Sequence, residues 1–305
     1  MTEMPPQLFD RRLLRQRRAR QADSLHDFSF LVERVAEDMV DRIESITRDF
    51  DRVLVLGGGP RFVPALAASA TTGKLGHIIQ TDIARPVAAS LPGASRACVD
   101  EENLPFADES FDLVLAPLNL HWSNDLPGTL IQINRALKPD GFLALALFGG
   151  QTLTELRRAL MMAESALSDG VHNRVSPFAG TFDMAALLQR AGFALPVSDI
   201  DRLTVRYDSA FDLMRDLRGM GETSVLTDRP RRPASRALFM QAAALYAEQF
   251  SDPDGRIRAS FEIVHAGGWA PHPDQPKPKR PGSATHSLAA ALGTTEISAG
   301  EKAGG

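Results

Sequence analysis

Residues 53–62 read VLVLGGGPRF, and this stretch decides the fold. Val53 to Leu56 is an unbroken apolar run, the pattern of a strand buried on both faces of a parallel sheet. Gly57, Gly58 and Gly59 follow. Glycine reaches backbone angles closed to other residues and, lacking a side chain, lets a ligand approach the main chain. Pro60 has no backbone donor but suits the first turn of a helix, where that donor would be spare. The stretch therefore predicts a strand, a tight turn and a helix opening beside a ligand.

Downstream, strand and helix alternate. Val63 to Ala70 continues the helix and Gly73 to Gly76 ends it. His77 to Gln80 reads as a second strand closing on Thr81 and Asp82, with a third near Ser95 to Val99. SFDLVL (110–115) is the next strand and PLNLHWSND (117–125) the loop after it. Leu130 to Leu137 then reads as a helix, KPDG (138–141) as a turn and Phe142 to Phe148 as a buried strand. Such alternation predicts a doubly wound α/β sheet, with its ligand outside the carboxyl ends of the strands.

Further on, Thr152 to Leu167 reads as a helix whose start, TLTE, matches a capping box of Thr152 and Glu155. A short helix spans Asp183 to Ala191, and Leu195 to Tyr207 is extended with a bend expected near Asp199 to Asp201. Helices at Ala210 to Leu217 and Pro233 to Phe250 flank RGMGET (218–223). Ser260 to Ala266 alternates like a strand and is expected to return as the antiparallel edge. That leaves 208–256 as a helical insertion over the cleft.

Upstream, residues 1–8 are expected to fray. RRLLRQRRAR (11–20) carries six arginines among good helix formers, which predicts either a solvated helix face or a contact for an acidic partner or an anionic surface. Phe28, Leu31, Val35, Met39, Ile43 and Ile46 recur at helical spacing and predict an amphipathic helix. The chain thus divides into a helical arm (1–50), the main domain (51–269) and a tail (270–305). The tail is rich in proline and charge, then in alanine and glycine, and is expected to be a flexible arm.

Composition sets outer bounds. With 305 residues, 44% hydrophobic and 24% charged, the chain has the make-up of an ordinary globular protein. A formal charge of -4 leaves no overall basic field for nucleic acid. A single cysteine, Cys98, forms no internal disulfide and agrees with a reducing compartment. No apolar run approaches the roughly 20 residues needed to cross a bilayer. The N-terminus is Arg-rich like a transit peptide, yet Glu3, Asp10 and Asp23 interrupt it, so a bacterial-type cytoplasmic protein is the expectation.

Two cofactor classes fit a strand, a glycine turn, a helix and a downstream acid: dinucleotides and S-adenosylmethionine. In the dinucleotide fingerprint a third glycine lets the helix pack close, and its start faces a pyrophosphate. Here that place is Phe62, and no Gly-Lys-Ser/Thr ending marks a phosphate loop. S-adenosylmethionine carries no phosphate. It needs glycines against its methionine part, an acid for the ribose and an acid or amide for the adenine. Gly57, Gly59, Asp82 and Asp100 meet that list in order. Asp82 lies about 20 residues beyond the glycines, where an acid accepts from both ribose hydroxyls; it also suits a helix cap before Ile83. The predicted cofactor contacts are Gly57, Gly58, Gly59, Asp82, Ile83, Asp100, Glu101 and Leu118.

The series LGGG, TD, DEENLPFADESFDLVL, LNLHWSNDLP and LKPDGFLALALFG resembles the class I S-adenosylmethionine-dependent methyltransferases over roughly Val53 to Phe148. The resemblance implies a Rossmann-like, mostly parallel seven-stranded sheet. FDRRLLRQRRAR, LHWSNDLPGTLIQINRALKPDG, FGGQTLTELR, RAGF, DLRGMGE and the tail GSATHS resemble a single family over almost the whole chain. It is the complex I assembly factor family of methyltransferase-like proteins, whose mitochondrial member is regarded as an arginine hydroxylase acting on a complex I subunit. The malonyl-acyl-carrier-protein methyltransferases of biotin synthesis are similar more weakly, through the DLRGMGE stretch. The superfamily pattern has an acid where Val55 stands and a glycine where Arg61 stands. Arg61 is therefore expected to crowd the methionine end of the cofactor or to contact its carboxylate, and cofactor binding to be retained but weaker.

Methyl transfer needs little beyond alignment of sulfonium and nucleophile, with a base only where the nucleophile loses a proton. His121 and Trp122, after the fourth strand, are the candidate catalytic residues, with Asn119 a third through its amide; each also reads as a packed loop residue. Arg215 and Arg218, in the insertion, are candidates to clamp a substrate carboxylate or an acidic partner, or else surface arginines. His272-Pro273-Asp274 has the spacing of an iron site, but it sits in a Pro-rich tail and is read as chance, so no metal is expected. Three functions follow: an enzyme modifying a protein such as a complex I subunit, by methylation or by the hydroxylation the resemblance implies; a carboxyl methyltransferase for a small or carrier-linked acid; or a degenerate domain serving as an assembly chaperone through its basic helix.

Overall fold

The computed structural model describes residues 7–70, 72–167, 170–177, 181–230, 233–276 and 287–295. Met1–Pro271 is one compact unit, and it takes in both the helical arm and the insertion. Its elements run α1 (Arg11–Arg20), α2 (Phe30–Glu44), β1 (Phe50–Leu56), α3 (Gly59–Ser69), β2 (Leu75–Asp82), α4 (Arg85–Ser90), β3 (Arg96–Cys98), β4 (Phe111–Pro117), α5 (Leu126–Ala136), β5 (Leu137–Phe148), α6 (Thr154–Leu167), α7 (Thr181–Arg190), β6 (Ala194–Tyr207), α8 (Ala210–Gly219), α9 (Arg236–Phe250) and β7 (Ile257–Trp269).

The strands form a seven-stranded sheet in the order β3-β2-β1-β4-β5-β7-β6. The first five in that order pair parallel, while β7 is antiparallel to both β5 and β6. This is the doubly wound, mostly parallel sheet the sequence predicts. Chain order reverses between β1 and β4, and a crevice opens at the carboxyl ends there.

The unbroken apolar runs divide between two layers. Val53, Val55, Leu113, Leu115, Ala144 and Ala146 pack on the α2 and α3 side with Leu31, Val35, Met39 and Ile43. Leu54, Leu56, Val114, Leu143 and Leu145 pack on the α5 and α7 side with Leu130, Ile133 and Leu188. Both faces of each central strand are thus dry, which is why those strands do not alternate.

Four local expectations need correction. The edge is β6, and β7 lies inside it; β7 is buried almost throughout, while β6 alternates half-buried and exposed residues, as a strand wet on one face does. The irregularity in β6 falls between Ala194 and Val197, where Leu195 has φ 50°, and not near Asp199 to Asp201. Lys138 to Gly141 belongs to β5 and is not a separate turn. No capping box forms: Thr152 Oγ1 donates to the Glu262 carbonyl (2.9 Å) and Glu155 accepts from the backbone and hydroxyl of Ser260. Both side chains tie α6 to β7, because the β7 backbone stands closer than the helix start.

His272–Gly305 is a second unit with α10 (Leu288–Ala291). The expected fraying of residues 1–6, most of GSATHS and much of the expected flexible tail, at 277–286 and 296–305, lie outside the described residues.

Candidate cofactor crevice and adjoining chamber

At the end of β1, Gly57, Gly58 and Gly59 have φ of 78°, 84° and 66°, a region that L side chains enter only with strain. Space is equally short. A Cβ on Gly57 would stand 2.7 Å from Asn119 Cβ, and one on Gly58 2.7 Å from Pro117 Cγ. The loop after β4 therefore closes directly over the glycine turn. Beside it Asp82, buried at the end of β2, accepts the amide of Ala84 at 2.9 Å.

The carboxylates beside this turn are held by α1. Arg18 reaches Asp82 with both ends of its fork, Nη2 to Oδ2 at 2.5 Å and Nε to Oδ1 at 3.2 Å. Arg11 donates to Asp100 Oδ1 at 2.6 Å and to Glu101 Oε1 at 2.9 Å. Arg11, Leu14 and Arg18 follow at i, i+3 and i+7, one face of the helix, and the described fold turns that face inward. The run expected to be solvated, or to await an external acidic partner, thus finds its acids within the chain; Arg12, Arg15 and Arg20 remain exposed. Burial pulls the Arg18 pKa down, but the Asp82 charge and hydrogen bonds, helped by Glu222 and Glu101, more than reverse this and leave it raised. Burial likewise works against Arg11, and Glu101 and Asp100 raise its pKa.

Between α1 and the turn remains a cavity of about 10 Å³, lined by Leu14, Arg18, Gly57, Asp82, Ile83 and Glu101 among others. That is space for about one water, whereas sites for small organic ligands run to roughly 300–1,000 Å³. The acceptors suit an adenosyl group in type and order. The space, with α1 docked, does not. Asn119 and Trp122 also border this cavity, and Asn119 Oδ1 is buried with no hydrogen-bond partner among the described residues.

Leu118, φ 48°, is buried and borders a neighbouring small cavity with Gly58 and Gly59. Arg61 borders that same cavity. Its Nε donates to Glu33 Oε1 at 2.9 Å and its side chain is half exposed, because α2, packed on α3, offers an opposite charge.

Beyond Trp122 lies a larger chamber of about 450 Å³, walled by Leu156, Leu160, Met214 and Leu217 with Arg218 and Glu222. Trp122 lines both spaces. Beside it His121 is buried, its ring 4.9 Å from those of Trp122 and Phe148, and its Nε2 is 3.1 Å from Glu222 Oε2. An ionised carboxylate only accepts, so Nε2 donates.

The RGMGE stretch delivers Glu222 to that place. After α8 the Glu222 amide donates to the Leu217 carbonyl and the Gly221 amide to that of Arg218, a Schellman ending with Gly221 at φ 82°. Arg218 lines the chamber and makes no ion pair among the described residues. Arg215 points outward, paired with Asp212 at 2.8 Å. In the second unit, His272 Nδ1 accepts the amide of Asp274.

Sequence reasoning missed Arg11, Arg18, Glu102 and Glu222. Glu102 accepts the backbone amide of Asn124 at 2.5 Å and the Ser123 hydroxyl at 3.3 Å, fixing the loop that carries His121. The available signals were the i, i+3, i+7 spacing in α1 and the third consecutive acid of DEE.

The sheet order, the glycine turn after β1 and the acid closing β2 define a class I methyltransferase fold. A profile described as a methyltransferase domain matches residues 54–145. The solved structure of YcgJ from Bacillus subtilis superposes with a TM-score of 0.53 at 14% identity, over 78% of this chain and 99% of that one, a likeness of fold alone. Within the class, the chain belongs to the family of the mitochondrial arginine hydroxylase NDUFAF5: it is 40% identical to the mouse protein over 303 residues, 97% of this chain and 87% of that one. It is also 32% identical to the malonyl-[acyl-carrier protein] O-methyltransferase of Halorhodospira halophila over 275 residues, 86% of this chain and 89% of that one.

Proposed function

We propose that this protein is an enzyme that modifies one arginine side chain of a protein substrate, a subunit of respiratory complex I during its assembly, and that it works in the cytoplasm. The observation that carries the reading is the His121–Glu222 pair, whose carboxylate lines the chamber beside Trp122. A guanidinium entering the chamber meets in Glu222 a nearly buried carboxylate, the partner that binds it by charge-assisted hydrogen bonds. His121 fixes that carboxylate, and Leu156, Leu160 and Met214 supply an apolar part of the wall for the stem of the side chain. S-adenosylmethionine is the cofactor this reading assigns to the crevice, with Gly57, Gly58, Gly59, Asp82 and Asp100 or Glu101 as its contacts.

A second reading, carboxyl methylation of a carrier-linked acid, draws support from Arg218, a cation lining the chamber that makes no ion pair among the described residues. Intact-mass analysis of the complex I subunit, isolated with and without this protein, separates the cases. Gain of one CH2 means arginine methylation, and gain of one oxygen means hydroxylation. No change, together with methylation of a carrier-linked acid by the purified protein, supports the second reading. No change of either substrate leaves a chaperone and overturns both.

A further inference from the structure

We propose that α1 is a strap that occupies the adenosyl part of the crevice and must swing out before the cofactor binds. The proposal rests on the assignment of that crevice to S-adenosylmethionine. All three carboxylates predicted to grip sugar and base are already satisfied from within the chain: Asp82 by Arg18, Asp100 and Glu101 by Arg11. Leu14 and Arg18 border what little space remains, about 10 Å³. On the opposite wall Asn119 Oδ1 is buried, and among the described residues no donor reaches it in the closed crevice.

The strap is fastened at the mouth of the chamber as well. Arg17 donates to Thr223 Oγ1 at 2.9 Å and to the Ser224 carbonyl. Asp10 pairs with Arg229 at 3.2 Å, and its amide donates to Val225. Phe9 stands edge-on to Trp122 at 5.4 Å. Opening therefore breaks contacts on the crevice and on the insertion together, so events in the chamber reach the cofactor site through α1.

If the closed form dominates, the apparent cofactor affinity falls by the fraction of open molecules, and loosening the strap restores it. The test is calorimetric titration of S-adenosylhomocysteine, a non-reacting probe, into the full chain and into Arg18→Gln, Arg11→Gln and Arg12→Gln. Because Arg18→Gln leaves a buried carboxylate uncompensated, Arg11→Gln, whose partners are less deeply buried, is the second strap variant; each is first checked for a cooperative melt. The expected result is binding at least about 10-fold tighter in both strap variants, with the exposed Arg12→Gln unchanged. In stopped flow, the tryptophan signal of the wild type approaches a rate that saturates with probe concentration, as when opening precedes binding. Binding by the strap variants equal to or weaker than wild type makes α1 a fixed wall and overturns the strap alone. Absence of binding in every folded variant overturns the cofactor assignment, and the strap with it.

Discussion

Glu222 Oε2 lies 3.1 Å from His121 Nε2 although 101 residues separate them. One comes from the loop after β4, the other from the end of α8 in the insertion, so the pair exists only once the insertion has docked on the sheet. Glu222→Gln keeps the shape and a hydrogen bond but removes the charge that would hold a guanidinium. Turnover of the protein substrate is expected to fall about 10²- to 10⁴-fold, the range for a group that binds and exchanges a proton at the reacting atom. Probe binding in the crevice should hold to within a few-fold. Equal turnover by wild type and Glu222→Gln, measured by mass spectrometry of the substrate, removes Glu222 from the chemistry.

The two glycines of RGMGE have separate physical jobs. A Cβ on Gly219 would stand 2.2 Å from Cδ2 of Phe28, so Gly219→Ala forces α8 away from the segment before α2, at about 1–3 kcal/mol. Gly221 sits at φ 82°, and Gly221→Ala costs about 1–2 kcal/mol in strain while shifting the turn that carries Glu222. Urea unfolding should find both variants destabilised. It should also find the Gly219→Ala penalty largely relieved in the double variant with Phe28→Ala, since contacting residues couple; strict additivity of the two would mean that the close approach is not what Gly219 is needed for.

How far the sequence could be read follows from the range of each interaction. VLVLGGGP specifies its strand, turn and helix locally, through burial, backbone freedom and the missing proline donor, and the structure has all three. The acid at Asp82 was legible for the same reason. Its partner was not: Arg18 lies 64 residues away, and an arginine in a basic helix looks the same whether it faces water or a carboxylate. Thr152 and Glu155 fit a capping box in sequence, yet both turn to β7, whose proximity no local pattern encodes. Alternation within Ser260 to Ala266 suggests an edge strand, but DIDRLTVR (199–206) alternates with polar and charged residues and is the better edge, which is where the structure has it.

Arg218 and Arg215 were indistinguishable as candidates, and the structure separates them. Arg218 lines the chamber, while Arg215 is two-thirds exposed and bound to Asp212. If the substrate is an acid, as in the second reading, Arg218→Glu is therefore expected to lower its turnover at least about 10-fold, from repulsion between two carboxylates and loss of a charge-assisted contact. Arg215→Glu should change it less than about 3-fold, as exposed pairs are worth little. Probe binding should be unaffected in both. The reverse ranking would move the substrate from the chamber to the outer surface of the insertion.

His265 offers a test of the fold that is independent of function. It sits on β7, buried, with Asp38 of α2 at 3.4 Å and Arg34, Arg42, Asp199 and Asp201 around it. Burial first, then the Arg42 charge, lowers its pKa from 6.5 to about 4, against partial opposition from Asp199 and Asp201. The native protein therefore keeps this imidazole neutral where the unfolded chain protonates it. The unfolded state binds more protons below pH 6.5, so stability is expected to fall as pH drops from there toward 4. The slope starts near half of ~1.4 kcal/mol per pH unit and steepens as the unfolded imidazole fills, which amounts to about 1.5 kcal/mol between roughly pH 6.5 and 5. Asp38, whose pKa burial raises, acts in the opposite sense at the acid end, so the upper part of the window is the cleaner place to measure. Urea unfolding across that window should give a slope in the wild type that His265→Gln reduces by this amount. Identical slopes would mean that His265 takes up its proton in the folded protein, with Asp38 as its counter-ion, and that the α2–β7 contact is open to water.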